Sequence, residues 1–198
     1  MPEHISYILS FLLDIEEPAA ADAINNICYT TNKAEWRRYK IVIIPSGFFN
    51  KITYKSQNTA PQLPLPEIDG VPLLFGAPEV ARVGGQLIVK ADIVASAYFL
   101  LTRYEELINT ERDTNGRFKG NSSILYRSGA LRRPVVDEYG RLLRGWLNEV
   151  GVGLPERQSK FKKVITHDVD QIAQYRSNRG FAGGIKRLHI TDALKSKL

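Results

Sequence analysis

The most constraining feature of this chain is the run Lys-Ile-Val-Ile-Ile-Pro at positions 40–45, in which β-branched residues follow one another without interruption. A strand with one face in water alternates apolar and polar residues, because successive side chains point to opposite faces. An unbroken apolar run is typical of a strand that is buried on both faces, as in a parallel sheet covered by helices. The sequence therefore predicts an α/β fold with a parallel strand at this place.

Three amphipathic helices are predicted before and after this strand. Apolar residues recur at helical spacing over 4–15, 93–108 and 135–149. Asp92 directly precedes the second of these segments and is a candidate N-cap, since its carboxylate can accept a hydrogen bond from an amide of the first turn. We expect the apolar faces of these helices to cover the sheet.

Glycine-rich and polar stretches separate the predicted elements. Two extended segments, 79–83 and 86–90, flank Gly84-Gly85, a pattern that predicts a β-hairpin. The polar residues 109–130 form a loop that is long enough to be either functional or mobile. A parallel strand together with a hairpin predicts a small mixed sheet.

Five other residues have ordinary explanations. Trp36 and Tyr39 are expected to pack in the core, and the alternative, carbohydrate stacking, would require their rings to be exposed. Arg103, Glu105 and Glu106 form either a polar site at a helix end or, as is more common, a solvated face with local ion pairs.

The end of the last predicted helix marks a change in the chain. Residues 151–155, Gly-Val-Gly-Leu-Pro, predict a domain boundary, so we expect an α/β domain over 1–155 and a second domain that starts in 156–198. The net charge of +6 lies in residues 156–198, because residues 1–155 carry 17 basic and 17 acidic side chains. No base-stacking or recognition-helix pattern accompanies the basic residues, so no nucleic-acid partner is expected.

Composition excludes several classes of protein. The chain is 43% hydrophobic and 24% charged, as in ordinary globular proteins. Its single cysteine, Cys28, excludes a disulfide framework and is expected to be a small buried apolar group. No apolar run approaches about 18 residues, so no membrane span is expected. Residues 1–4 lack a basic leader, which favours a cytoplasmic location. The sequence does not indicate which oligomeric state the protein adopts.

The strongest chemical signal is Thr-His-Asp-Val-Asp at 166–170, which follows a short predicted strand over 162–166. Two carboxylates at i and i+2 of an extended segment point to the same side, where their charges repel unless a cation lies between them or one is protonated. A divalent metal would resolve this conflict and lower the pKa of a bound water toward about 7. The alternative is a solvated turn in which Asp168 or Asp170 caps the following backbone.

This segment resembles the first motif of the polysaccharide deacetylases, the NodB-homology or carbohydrate esterase family four. That motif commonly reads Thr-Phe-Asp-Asp, where the first Asp is the catalytic base and the second binds the metal. The resemblance assigns the base to Asp168 and the metal ligand to Asp170. His167 stands in place of the aromatic residue, and Val169 moves the ligand one position along the chain.

A second stretch supports the same identification. Residues 91–106 are similar to a domain of unknown function that precedes the deacetylase domain in some members of this family. Asp113 with 116–118, and Arg-Pro-Val-Val-Asp-Glu-Tyr at 133–139, are similar to further blocks of that domain. The resemblance covers roughly residues 40–170.

The family implies metal-assisted hydrolysis of an N-acetyl amide, a C–N bond, in an acetylated amino-sugar polymer or glycan precursor. Its divalent cation, most simply zinc, is held by one Asp and two His of a (β/α) barrel-type domain. The histidines His4, His167 and His189 include no pair at i, i+4. We therefore expect an N-terminal α/β domain followed by the first strand of an incomplete deacetylase barrel, a fragment that holds no cofactor and is inactive alone.

Two other functions fit parts of the sequence. Phosphatases of the haloacid dehalogenase type also place Asp-x-Asp after a strand, with the first Asp as nucleophile. Thr166, His167 and Ile172 depart from the residues that this family has beside its motif. A non-catalytic module that binds a glycan or a partner protein would suit the neutral residues 1–155.

Overall fold

The structure, a computed structural model, describes residues 1–14, 19–154, 163–166 and 182. The chain divides into two compact units, Met1–Arg157 and Gln158–Leu198. The architecture that follows is that of the first unit.

A four-stranded mixed sheet lies at the centre of this unit. Its strand order is β1-β2-β6-β5, where the strands are β1 (Ile27–Tyr29), β2 (Ile41–Ile43), β5 (Gly76–Val83) and β6 (Gln86–Ala91). β1, β2 and β6 are parallel, and Ile41 lies opposite both Ile27 and Leu87. β5 pairs antiparallel with β6 across Gly84-Gly85, forms one edge of the sheet, and has a register shift between Gly76 and Val80. The predicted parallel strand, the hairpin and the small mixed sheet are confirmed.

The described part of the unit also contains a two-stranded antiparallel ribbon, seven α-helices and two short 3-10 helices (Gln57–Thr59 and Gly120–Ser122). The ribbon strands and the α-helices are β3 (Glu67–Ile68), β4 (Val71–Pro72), α1 (Glu3–Leu13), α2 (Ala19–Ile24), α3 (Lys33–Trp36), α4 (Ile93–Leu101), α5 (Tyr104–Ile108), α6 (Ile124–Arg127) and α7 (Val135–Glu149). α1, α4 and α7 contact one another, and their buried faces form one core with the sheet. Leu9, Val89, Phe99 and Tyr139 are examples of its fully buried side chains. Among the described residues, no helix has both the length and the apolar character needed to cross a membrane.

α1 and α7 approach each other most closely at Gly140. A Cβ atom at this position would lie closer than 3.0 Å to the backbone oxygen of Leu12, a spacing that real Cβ atoms essentially never show. The Arg144 side chain donates a hydrogen bond of 2.8 Å to the backbone oxygen of Leu13, the last residue of α1. Glycine at 140 therefore lets the two helices touch through their backbones.

Three expectations about local structure are wrong. The segment 93–108 is two helices, because Arg103 has a left-handed backbone (φ 53°) that ends α4 and redirects the chain into α5. Trp36 and Tyr39 are half-buried, since they lie at the surface where the chain enters β2, and both of their backbone oxygens accept hydrogen bonds from Gln86. Residues 163–166 are exposed and form no strand, because they pair with no other described residue.

Candidate functional site

The carboxyl ends of the three parallel strands meet at Asp92, which directly follows β6 and is fully buried. Its Oδ1 accepts a hydrogen bond of 2.9 Å from the Ala95 amide, so the predicted N-cap is confirmed. Its Oδ2 accepts bonds from the Ser46 amide (2.7 Å), beyond β2, and from the Tyr29 hydroxyl (3.0 Å), at the end of β1. One carboxylate therefore holds together the edge at which open α/β sheets bind their ligands.

Burial sets the electrostatics at Asp92. Desolvation raises the pKa of this carboxyl above its ordinary value, and the hydrogen bonds from Ala95 and Ser46 offset part of that rise. The pKa of Tyr29 is raised first by burial and then by the neighbouring Asp92 charge. The hydroxyl of Tyr29 therefore stays protonated and acts as a donor toward Asp92.

The loop 44–66, between β2 and β3, starts at this edge of the sheet. Tyr104, the first residue of α5, holds it: its hydroxyl accepts hydrogen bonds from the Lys55 amide and from the Thr59 Oγ1 (3.2 Å). The break at Arg103 is what starts α5 at this buried tyrosine. The break between α4 and α5, which the helical pattern did not predict, thus places Tyr104 where it can hold the loop.

Phe48, a residue of this loop, lies at the centre of an aromatic cluster. Its ring centroid is 4.8 Å from that of Phe75, 4.9 Å from those of Phe49 and Tyr104, and 6.0 Å from that of Tyr98. Most of these pairs are edge-to-face, the arrangement that the ring quadrupoles favour. The cluster gives the loop a rigid apolar base.

One side of the cluster opens into a cavity of about 300 Å³, the aromatic pocket, lined by His4, Phe49, Lys51, Tyr54 and Tyr98. Phe49 lies 5.1 Å from both His4 and Tyr98 between ring centroids. The Tyr54 and Tyr98 hydroxyl oxygens are 2.7 Å apart and share a hydrogen bond. Burial, followed by that bond, raises the pKa of Tyr54. The pocket is therefore walled by fixed rings, while His4 and Lys51 are exposed at its rim.

A second cavity lined by the same loop, the proline cleft, has a volume of about 420 Å³. Its polar lining residues include Ser46, Asn58 and Gln62, and its apolar ones include Pro61 and Phe75. Asn58 and Gln62 are exposed, whereas Phe75 is half-buried. The cleft thus combines amide and hydroxyl groups with flat apolar surfaces, a common combination in small-molecule sites.

Two other grooves carry charges that are already paired. The groove of about 540 Å³ beside α7 contains the ion pairs Arg82–Glu149 and Arg133–Glu138, the latter with an N–O distance of 2.9 Å. The charged side chains that line this groove therefore neutralise one another.

The groove beside α6, of about 520 Å³, contains the predicted polar group at 103–106. Arg103 and Glu106 form an exposed bidentate pair, which confirms the solvated-face interpretation for these two residues. Glu105 is half-buried and accepts a hydrogen bond of 2.8 Å from the Ile124 amide, and burial raises its pKa. Glu105 therefore fastens the first residue of α6 to α5, and α6 interrupts the predicted loop 109–130. In the segment before α6, Asp113 Oδ1 accepts bonds from two backbone amides and forms a turn.

The residues predicted to carry chemistry, Asp168 and Asp170, lie outside the described residues, as does His167. Within the described ranges, no group of three His, Cys, Asp or Glu residues is placed to hold a metal ion. Cys28 is buried, and burial raises the pKa of its thiol, in agreement with a small apolar role.

The aromatic pocket was not predicted from the sequence. One signal for it exists, namely three aromatic residues at 48, 49 and 54 directly after the doubly buried strand. His4 and Tyr98 carry no such signal, because only the packing of α1 and α4 brings them to the loop.

One family matches this chain: a family of unknown function (DUF7033) matches it over residues 3–151. No curated protein and no solved structure matches the chain. The matched range includes the blocks at 91–106 and 133–139, and it ends before the motif at 166–170. The chain therefore belongs to the DUF7033 family of unknown function.

Proposed function

We propose that residues 3–151 form a non-catalytic module that binds a glycan at the loop 44–66. The observation that carries this proposal is the proline cleft, which offers the exposed amides of Asn58 and Gln62 beside the faces of Pro61 and Phe75. A pyranose ring has polar hydroxyls around its edge and apolar C–H groups on its faces. It therefore suits a cavity that combines hydrogen-bonding amides with flat apolar walls.

The position of the cleft supports ligand binding over a structural role. It lies at the carboxyl edge of the parallel strands, where the loop is fixed by Asp92 and Tyr104 before any ligand arrives. A preformed site loses less conformational entropy on binding than a loop that must become ordered. The module can therefore bind a sugar without rearrangement of its backbone.

The catalytic proposal rests on the sequence motif alone. By its resemblance to polysaccharide deacetylases, Asp168 would serve as base and Asp170 as metal ligand for hydrolysis of an N-acetyl amide. The described residues offer no set of side chains that fits the metal. We therefore propose that the module presents an acetylated amino-sugar polymer to chemistry that takes place outside residues 3–151.

The test is a titration of the whole 198-residue chain with soluble N-acetylglucosamine oligosaccharides, followed by amide chemical shifts in NMR spectra. We expect shifts that saturate and that map to residues 46–62 and 74–76. Asn58→Ala and Gln62→Ala should each weaken binding roughly three- to tenfold, the loss of one hydrogen bond.

Asn121→Ala serves as the matched control, since this exposed asparagine lines the α6 groove instead. It should bind like the wild type. Saturating shifts confined to the α6 or α7 grooves, or no shifts with any oligosaccharide, would contradict the proposal.

A further inference from the structure

The aromatic pocket carries an inference that rests on the proposed glycan binding and narrows the sugar. Its rings come from three separate parts of the chain: His4 from α1, Phe49 and Tyr54 from the loop, and Tyr98 from α4. The hydrogen bond between the Tyr54 and Tyr98 hydroxyls fixes two of these rings relative to each other. The pocket of about 300 Å³ is therefore a preformed apolar box of the size of one ring-shaped ligand.

Two lysines give this box a positive charge. Lys51 lines the pocket, and the Lys55 ammonium lies 5.9 Å from the centre of the Tyr54 ring. Neither lysine forms an ion pair within the described part of the chain, whose ion pairs all involve other cations. The Lys51 ammonium is thus available to an anion at the rim, and Lys55 adds positive charge near the Tyr54 ring.

The positive charge of these lysines favours anionic over cationic ligands for the aromatic box. Boxes of aromatic rings often bind cations through their π faces. Here Lys51 and Lys55 already place positive charge at the rings, so a cationic ligand would meet like charges. A ligand ring with apolar faces and a negatively charged substituent gains binding affinity from two sources: its faces pack against the aromatic side chains, and its charge is attracted to the lysines.

We propose that the aromatic pocket is a subsite for an acidic sugar, a pyranose ring that carries a carboxylate. The apolar face of the ring packs against Tyr98 and Phe49, and the carboxylate lies near Lys51. Ion pairs at an exposed rim each change affinity by less than about fivefold, so we expect selectivity from the lysines and most of the affinity from the rings.

The experiment compares oligosaccharides of glucuronic acid with matched neutral oligosaccharides of glucose, using calorimetry on the whole chain at low salt. The wild type should bind the acidic oligosaccharide roughly three- to tenfold more tightly. Lys51→Gln should lower this preference, because the variant loses the charge that faces the carboxylate. Raising the salt to about 0.5 M should have the same effect, since salt screens exposed charges.

Lys40→Gln is the control, because this exposed lysine lies at the opposite end of β2 from the loop. It should retain the full preference. Equal affinity of the wild type for both sugars would overturn the acidic subsite and leave the glycan-binding module standing. A preference that survives in Lys51→Gln, or that Lys40→Gln removes equally, would also overturn it. Absence of binding to every oligosaccharide would overturn both proposals.

Discussion

Gly140→Ala tests the close approach of α1 and α7 directly. Alanine favours a helix interior over glycine by about 1 kcal/mol, so an unhindered substitution would stabilise the protein. At Gly140, however, the new Cβ would lie closer than 3.0 Å to the Leu12 backbone oxygen, and a backbone atom cannot turn aside as a side chain can. The two helices must separate instead. Overpacking of this kind costs about 1–3 kcal/mol, so after the gain from alanine we expect a net loss of about 1 kcal/mol.

Gly145→Ala is the matched variant in the same helix. A Cβ at this position would meet no atom within 4 Å, and the residue is exposed. It should raise the free energy of unfolding by about 0.5–1 kcal/mol. The two variants should therefore differ by about 2 kcal/mol, or roughly 4–8 °C in Tm for a chain of this size.

Urea unfolding followed by circular dichroism, with thermal melts in parallel, measures both variants. If Gly140→Ala is as stable as Gly145→Ala, the helices do not meet through their backbones. A loss in both variants would show that glycine is required along α7 for a reason other than the contact with Leu12.

Three further predictions concern buried polar groups. Asp92→Asn should lower the free energy of unfolding by about 1–3 kcal/mol, because an amide has one acceptor oxygen and cannot accept from both Ala95 and Ser46. Since burial raises the pKa of folded Asp92, the unfolded chain loses its proton first as the pH rises above about 4. The free energy of unfolding of the wild type therefore falls as the pH rises, whereas the amide of the variant has no proton to lose and its free energy of unfolding is unaffected at this site. The difference between the two proteins in urea unfolding should thus shrink toward neutral pH. Tyr104→Phe should cost about 1–2 kcal/mol and speed hydrogen exchange of the Lys55 amide, which loses its acceptor. Glu105→Gln should change stability by less than about 1 kcal/mol at pH 5, since a Gln oxygen can still accept from Ile124, whereas Glu105→Ala should cost about 1–3 kcal/mol. Parallel pH series of urea titrations check both variants, and equal losses in Gln and Ala would refute the assigned bond.

Local chemistry explains which parts of the fold were predictable. The β-branched run at 40–45, the Gly84-Gly85 turn and the cap at Asp92 each satisfy a requirement of their own backbone. Each of these requirements is met by residues that are adjacent in the chain, so it can be recognised from the sequence. The mixed α/β architecture followed from these elements together.

The break at Arg103 was not predictable in the same way. The apolar spacing continues across it, and arginine has no preference for a left-handed backbone. The turn is held from outside, because Tyr104 is buried against the loop and bonded to Lys55 and Thr59. A tertiary contact therefore overrides the helical pattern.

The aromatic pocket could be identified only once the fold was known. His4 and Tyr98 are 94 positions apart and meet with ring centroids 6.2 Å from each other. Nothing near either residue indicates that contact. The roles of Asp168 and Asp170 stay predictions, because both residues lie outside the described ranges.

The edge strand β5 has a consequence for whether strands of other chains can add to this sheet. Exposed edge strands invite pairing with strands of other chains, a common route to aggregation. Pro78 removes one amide from β5, the register shift between Gly76 and Val80 disrupts its regular pairing, and the charged Glu79 and Arg82 are exposed along it. A foreign strand would have to bury these charges against an irregular backbone. This edge therefore resists the addition of a strand from another chain.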